Sequence, residues 1–203
     1  MEHLTQRNIK ALNDCIRDIY SSMDMQFLPA TIISATSKII PSSIAAIHAI
    51  TTHKRKVAVA EISSNAGLTA LDAYNRHIHE HPIIGPLFPG KSKPHPFRDD
   101  IEKRLLRNRL RPNAAIKISD MLTNNQFRSL ALFNEFYRTN GIEYQLGMPI
   151  LLSKDFQPAL SLNRDKIDFS EKELLILNIL RPHIIQAFKN AAVIGRIRDE
   201  KTG

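Results

Sequence analysis

Histidine spacing is the feature of this chain that comes nearest to a metal site. His77 and His81 stand four positions apart near the expected end of a helix, where they would share one face, with His95 as a third candidate ligand. No acidic residue directly after either histidine and no cysteine completes the set, and His79 would point the other way. We therefore interpret these side chains as structural or surface histidines, and we predict no metal and no other cofactor.

Basic residues suggest a second kind of chemistry, the binding of a polyanion. The chain has 28 Lys and Arg against 20 Asp and Glu, a net charge of +8. Residues 83–113 hold eight basic and three acidic residues and also cluster Pro and Gly, which indicates a basic insertion at about 84–113. A stripe on its predicted helix could lie along phosphates or an acidic partner, although a solvated face is the alternative. The stripe consists of Lys103, Arg104, Arg107 and Arg111.

Catalytic signatures are missing from the sequence. Cys15 is the only cysteine and has no basic or histidine neighbour to activate it, so it neither suggests a nucleophile nor can form an intrachain disulfide. The chain also lacks a Gly-rich phosphate loop, a Gly-x-Ser-x-Gly elbow, a metalloprotease helix motif and cysteine pairs at zinc spacing. We predict that the protein is not an enzyme.

Aromatic and methionine side chains suggest a small-molecule cavity where the expected sheet meets its helices. Such a mixture, with a few polar tips, is typical of ligand pockets, and ordinary core packing is the alternative. The candidate ligand-binding residues are Phe133, Tyr137, Tyr144 and Met148.

The elements that must position these residues follow from the hydrophobic pattern. Apolar spacings of three and four, ended by Pro or Gly, predict helices at residues 4–24, 29–40, 68–81 and 126–138 and from residue 170 onward. Runs rich in Ile, Val, Ala and Thr predict strands at residues 44–52 and 56–62, and further strands are predicted at residues 115–118, 144–152 and 159–162. This order indicates an α+β fold, with an antiparallel sheet of about five strands and helices packed on it.

The two terminal helices have more apolar surface than one buried face requires. The last helix begins at a potential capping box of Ser170 and Glu173, with Phe169 placed to pack on Leu174. Two such helices from each of two subunits could form a four-helix seam, so we predict a homodimer. The predicted interface residues are Leu12, Ile16, Ile19, Leu177, Leu180, Ile184 and Phe188.

Several short runs also carry a family resemblance. They lie at residues 81–82, 118–120, 126–127, 132–137, 141–143, 168–171, 177–183 and 186–191, and the Leu-Arg-Pro-His run at 180–183 is the most specific. On these residues the chain resembles the GAF-like N-terminal sensor region of LuxR-family bacterial transcription regulators. The resemblance spans most of the chain but not residues 84–113. The autoinducer-binding branch of that superfamily uses Trp in its pocket, and this chain has none.

The resemblance implies a single GAF-like sensor domain over residues 1–203, with adjacent N- and C-terminal helices. It implies a ligand-sensing and dimerisation module of a LuxR-type regulator, with a small-molecule effector. We expect no helix-turn-helix in these residues, and therefore DNA binding only through a domain outside them. The alternatives are a nucleic-acid or acidic-partner binding protein acting through the insertion, and a structural dimerisation domain without ligand. Neither a signal peptide nor a membrane span is predicted, which indicates a cytoplasmic protein.

Overall fold

A five-stranded antiparallel sheet forms the centre of the computed structural model, which describes residues 4–51, 56–62, 69–84, 94–107, 114–150, 152 and 156–202. The strands are β1 (Ile44–Thr51), β2 (Lys56–Ile62), β3 (Ile116–Lys117), β4 (Tyr144–Pro149) and β5 (Phe156–Arg164). Their order in the sheet is β2-β1-β5-β4-β3. Four strands have six or more residues and β3 has two, which confirms the α+β class and the sheet of about five strands. The turn between β1 and β2 and the stripe residue Arg111 lie outside the described residues.

Three helices cover one face of the sheet. They are α1 (Gln6–Tyr20), α2 (Leu28–Ser37) and α7 (Glu171–Thr202). The predicted capping box begins α7: the Ser170 amide donates to Glu173 Oε2 at 2.8 Å, and the Glu173 amide donates to Ser170 Oγ at 3.3 Å. The side chains of Tyr20 and His183 are hydrogen-bonded at 3.3 Å, so the terminal helices are adjacent, as predicted.

Shorter helices cover the opposite face. They are α3 (Leu71–Arg76), a 3-10 turn at Ile78–Glu80, α4 (Arg98–Arg107), α5 (Ile118–Met121), α6 (Asn124–Ser129) and a π-helical segment at Phe133–Tyr137. The single helix predicted over residues 126–138 is wrong, because Leu130 is extended and separates α6 from the π-helical segment. The helix predicted over residues 68–81 also ends early, and His81 is extended before Pro82, as the residue preceding a proline prefers.

Strand register gives the sheet two chemically different faces. Paired residues of neighbouring strands share a face, and successive residues alternate. One face is apolar and packs on α1, α2 and α7 in the first core, with Ala45 and Ile47 of β1, Leu146 and Met148 of β4, and Leu160 and Leu162 of β5. The other face carries His48, Gln145, Gly147, Ser161 and Asn163, and it is covered by the shorter helices of the second core.

The residues predicted for a dimer seam lie in the first core of the chain itself. Ile16 is half-buried and the other six are buried. Side chains that are already buried within one chain have little surface left for a partner, so six of these residues pack in the chain's own core and Ile16 lies at its edge. Their part in a dimer interface stays a prediction. No helix among the described residues has the length and apolarity needed to cross a bilayer.

Candidate ligand-binding site

A hydrogen-bonded chain of buried polar side chains crosses the second face of the sheet. The Tyr137 hydroxyl donates to Gln145 Oε1 at 3.1 Å, and Gln145 Nε2 donates to Asn163 Oδ1 at 3.0 Å. On the neighbouring strands, His48 Nε2 lies 2.8 Å from Ser161 Oγ. All five residues are buried. Unpaired buried polar groups are costly, so this network fixes the positions of the side chains around it.

His81 completes the site from the layer that covers the sheet. Its Nδ1 accepts the backbone N–H groups of Ile83 and Ile84, both at 3.2 Å. A nitrogen that accepts hydrogen bonds carries no proton, so in the neutral ring the proton is on Nε2. This Nε2 is buried and has no hydrogen-bond partner in the described part of the chain, and the same holds for Nδ1 of His48.

Burial keeps both histidines neutral near pH 7. Desolvation lowers the pKa of His48 to about 4. For His81, desolvation followed by the nearby His48 lowers the pKa to about 3, although the Gln145 side chain partly opposes the shift. Burial likewise raises the pKa of Tyr74 and of Tyr137 above the ordinary value, so neither ionises near neutral pH. The site is therefore polar but uncharged.

Aromatic rings form the walls of the site. Tyr74 stacks on His48 with ring centroids 6.1 Å apart and an interplanar angle of 12°, and its other neighbours are His81 at 6.0 Å and Phe136 at 4.6 Å. The π-helical segment buries Phe133, Phe136 and Tyr137 together. Such π-helical turns occur frequently at functional sites.

A small cavity of about 10 Å³ lies in this site, and the rings that line it among the described residues are Tyr74 and the two histidines. His48, Tyr74, His81, Gln145 and Ser161 are among its lining residues. Its volume is about that needed for one water molecule, so a larger ligand must displace part of the wall. Ile83 closes the wall beside Gly147, because a Cβ built on Gly147 would lie only 2.7 Å from Ile83 Cδ1.

The four predicted pocket residues do not share one side of the sheet. Phe133 and Tyr137 belong to the second core, and Tyr137 is part of the polar network. Tyr144 and Met148 alternate with Gln145 and pack in the first core, although Met148 also borders the cavity. Their role in ligand binding stays a prediction.

Sequence reasoning missed the polar residues of the second face. The alternation of Gln145 and Gly147 with Leu146 and Met148 is the signal for them, but such alternation ordinarily indicates a face exposed to solvent. Only the apolar layer above reveals that this face is buried. The spacing of His81 suggests a metal ligand rather than a pocket residue, and the described residues contain no group of three or more His, Cys, Asp or Glu able to hold a metal.

The other candidate residues are separate from this site. Lys103 and Arg107 are exposed on α4, and Arg104 is half-exposed. The same helix contributes Ile101 to the second core, so part of the insertion packs on the domain. Cys15 lies in the first core, where burial and then the nearby Asp18 raise the pKa of its thiol to about 12, so it is a poor nucleophile.

Comparison with known proteins rests on structure, because no protein-family model and no curated protein sequence matches the chain. The VqsR ligand-binding domain of Pseudomonas aeruginosa has a TM-score of 0.60 at 12% identity, with 90% of this chain and 96% of that chain covered. A GAF domain from a phosphoenolpyruvate-protein phosphotransferase of Coxiella burnetii has a TM-score of 0.54 at 12% identity, with coverages of 93% and 96%. The chain has a GAF-like fold.

Two further structures bear on the function of this GAF-like fold. CepR2 of Burkholderia cenocepacia, an N-acylhomoserine lactone dependent LuxR family transcription factor, has a TM-score of 0.52 at 14% identity, with coverages of 89% and 92%. The free methionine-R-sulfoxide reductase of Neisseria meningitidis has a TM-score of 0.55 at 9% identity, with coverages of 96% and 97%. The fold is therefore shared by ligand-binding domains of regulators and by an enzyme, and the fold alone does not decide between them.

Proposed function

We propose that this chain is a ligand-sensing module of a LuxR-type bacterial transcription regulator and that the second core is its effector site. The observation that supports this most strongly is the pair of buried, neutral histidines, each with an unpartnered ring nitrogen beside a small aromatic-walled cavity. Each group left unsatisfied costs stability, and a molecule bound in the cavity beside both histidines would remove that cost. The solved ligand-binding domains of similar fold support the same assignment.

Contacts from the sheet to α7 provide a means of reporting ligand occupancy. Asn163, which ends the polar network, is followed by Arg164, whose guanidinium pairs with Glu173 in the first turn of α7. Arg164 also lies over the Phe169 ring at 4.1 Å, and Lys117 of β3 pairs with Glu171. We propose that a ligand shifts the population between two arrangements of these contacts and thereby the position of α7.

The proposed module is a homodimer that uses exposed rather than core side chains. Val193 and Ile197 stand one turn apart on α7 and are about half-exposed. The Arg198–Asp24 salt bridge of 2.8 Å brings the loop that carries Met23 and Met25 to the same end of α7. We propose that this apolar surface, which we call the α7 end patch, meets its copy in a second subunit.

The basic insertion supports a second function less well. Within the described part of the insertion, α4 holds four basic residues but also Asp99, Asp100 and Glu102. Asp100 accepts a hydrogen bond from Gln126, and Glu102 pairs with Arg98. A helix with alternating charge signs is more typical of a solvated face than of a phosphate-binding surface.

Hydrogen exchange tests the sensing function even while the effector is unidentified. Chain purified natively is compared with chain unfolded in urea, dialysed to remove small molecules, and refolded. We expect slower amide exchange in the native sample both at residues 81–84 and 145–149 and in the first turns of α7. Equal exchange in α7, with a difference confined to the site, would contradict the reporting role.

A further inference from the structure

The site offers one hydrogen-bond donor whose identity is fixed by the backbone. Two amide N–H groups donate to Nδ1 of His81, so the neutral ring carries its proton on Nε2, which has no partner within hydrogen-bond distance in the described part of the chain, and His81 lines the cavity. Nδ1 of His48 is the second unpartnered group, and it can donate or accept depending on how the Ser161 hydroxyl is turned. A ligand that satisfies the site must therefore accept a hydrogen bond from His81.

The described residues that line the cavity include no Asp, Glu, Lys or Arg. An ionised ligand would lose its hydration here without gaining an opposite charge, and that loss is large in an apolar environment. An aromatic or otherwise planar ligand would instead keep favourable contacts with the Tyr74 ring, which lines the cavity.

We propose that the effector is a compact, uncharged, planar molecule whose carbonyl oxygen accepts the Nε2–H of His81. This rests on the proposed function, because it specifies the ligand class of that same site. Because the cavity alone has room for about one water molecule, entry of the ligand requires Ile83 to move away from Gly147. His81 is the residue that distinguishes a carbonyl from a hydrocarbon of equal shape.

Four small benzene derivatives test this proposal: benzamide, toluene, benzoate and benzamidinium. They share one ring and differ in whether they carry a neutral carbonyl, no acceptor, a negative charge or a positive charge. Binding is followed by the backbone amide NMR signals of Gly147 and Ile84 during titration of the full chain. We expect benzamide to shift these signals with an affinity at least tenfold higher than that of either ion and several-fold higher than that of toluene.

The variant His81→Asn assigns the binding to Nε2. An Asn carboxamide oxygen can replace Nδ1 as acceptor for the Ile83 and Ile84 amides but has no atom at the Nε2 position. We expect the affinity for benzamide to fall about fivefold, the size of one lost neutral hydrogen bond. His77→Asn is the matched control, since it changes a histidine four residues away that does not line the cavity.

The proposal is overturned if either ion binds at least as tightly as benzamide, if none of the four compounds shifts Gly147, or if His81→Asn leaves the affinity unchanged. Its failure is distinguishable from failure of the sensing function. Benzamide binding without any change in α7 exchange would preserve the ligand class and reject sensing. A charged effector that alters α7 exchange would support the sensing function and reject the proposed ligand class.

Discussion

The two buried histidines have chemical consequences that can be measured residue by residue. A histidine whose pKa is lowered in the folded state makes the protein sensitive to acid. The unfolded chain takes up a proton near the ordinary pKa of 6.5, while the folded chain does so only near 4 for His48 and near 3 for His81. Above pH 6.5 both states are neutral at these positions, and stability is unaffected.

We predict that the free energy of unfolding falls as the pH is lowered from 6.5 to 4. Each buried histidine contributes up to about 1.4 kcal/mol per pH unit across that window, because only the unfolded chain binds its proton. Urea unfolding at several pH values measures the slope. His81→Asn should make it shallower by about 1 kcal/mol per pH unit. Equal slopes for wild type and His81→Asn would contradict the neutral buried histidine.

Removal of the Tyr137 hydroxyl tests whether the polar network is structural as well as functional. Tyr137→Phe leaves Gln145 Oε1 buried without its donor at 3.1 Å, so we predict a loss of about 1–2 kcal/mol in unfolding free energy. Tyr144→Phe is the matched control, since Tyr144 is only half-buried. Denaturant midpoints measure both variants, and equal effects would mean that the hydrogen bond does not stabilise the fold.

At the scale of elements, β4 contains Gly147, which packs directly against Ile83 of the segment that covers the second face of the sheet. Gly147→Ala would place a Cβ 2.7 Å from Ile83 Cδ1, so Ile83 must shift, at a predicted cost of about 1 kcal/mol. Adding Ile83→Val, which removes the contacting atom, should recover most of that loss in a double-mutant cycle. Additive effects of the two changes at positions 147 and 83 would contradict the close contact.

Gly195→Ala in α7 places a Cβ that meets nothing within 4 Å, so we predict that it stabilises the chain by about 0.5–1 kcal/mol.

Most elements could be predicted from the sequence because their signals are local. The strands predicted at residues 144–152 and 159–162 correspond to β4 and β5, and the Ser170–Glu173 capping box placed the start of α7 correctly. The π-helical segment was missed, because a wider turn leaves the same apolar face as an α-helix over five residues. The candidate site was missed for a different reason: its polar strand residues look like a solvent face until a distant segment is known to cover them.

At the scale of the whole molecule, the sheet separates two cores with different roles. The first core packs the terminal helices on the apolar face of the sheet, and the second encloses the polar network. Leu180 lies in the first core with no exposed surface, so we predict that Leu180→Asp costs several kcal/mol and unfolds the chain. Circular dichroism measures this outcome. A folded Leu180→Asp monomer would instead indicate that Leu180 belongs to a subunit interface.

Exposed substitutions test the proposed dimer without damage to the core. We predict that Val193→Glu with Ile197→Glu turns a dimer into a folded monomer, because the charges face their copies across the α7 end patch. Leu106→Glu is the control, since Leu106 is 80% exposed on α4 and lies away from α7. Sedimentation equilibrium measures the mass of each variant. A wild-type monomer, or a double variant that stays dimeric, would contradict the assignment of the patch.

Native mass spectrometry of the purified chain tests most directly whether the second core is an effector site. We predict a small molecule that stays bound in the native spectrum, disappears under denaturing conditions, and is absent from a folded Gly147→Val variant whose added side chain occupies the space beside Ile83. A bare chain in both proteins, or the same bound mass in both, would contradict an effector site in the second core.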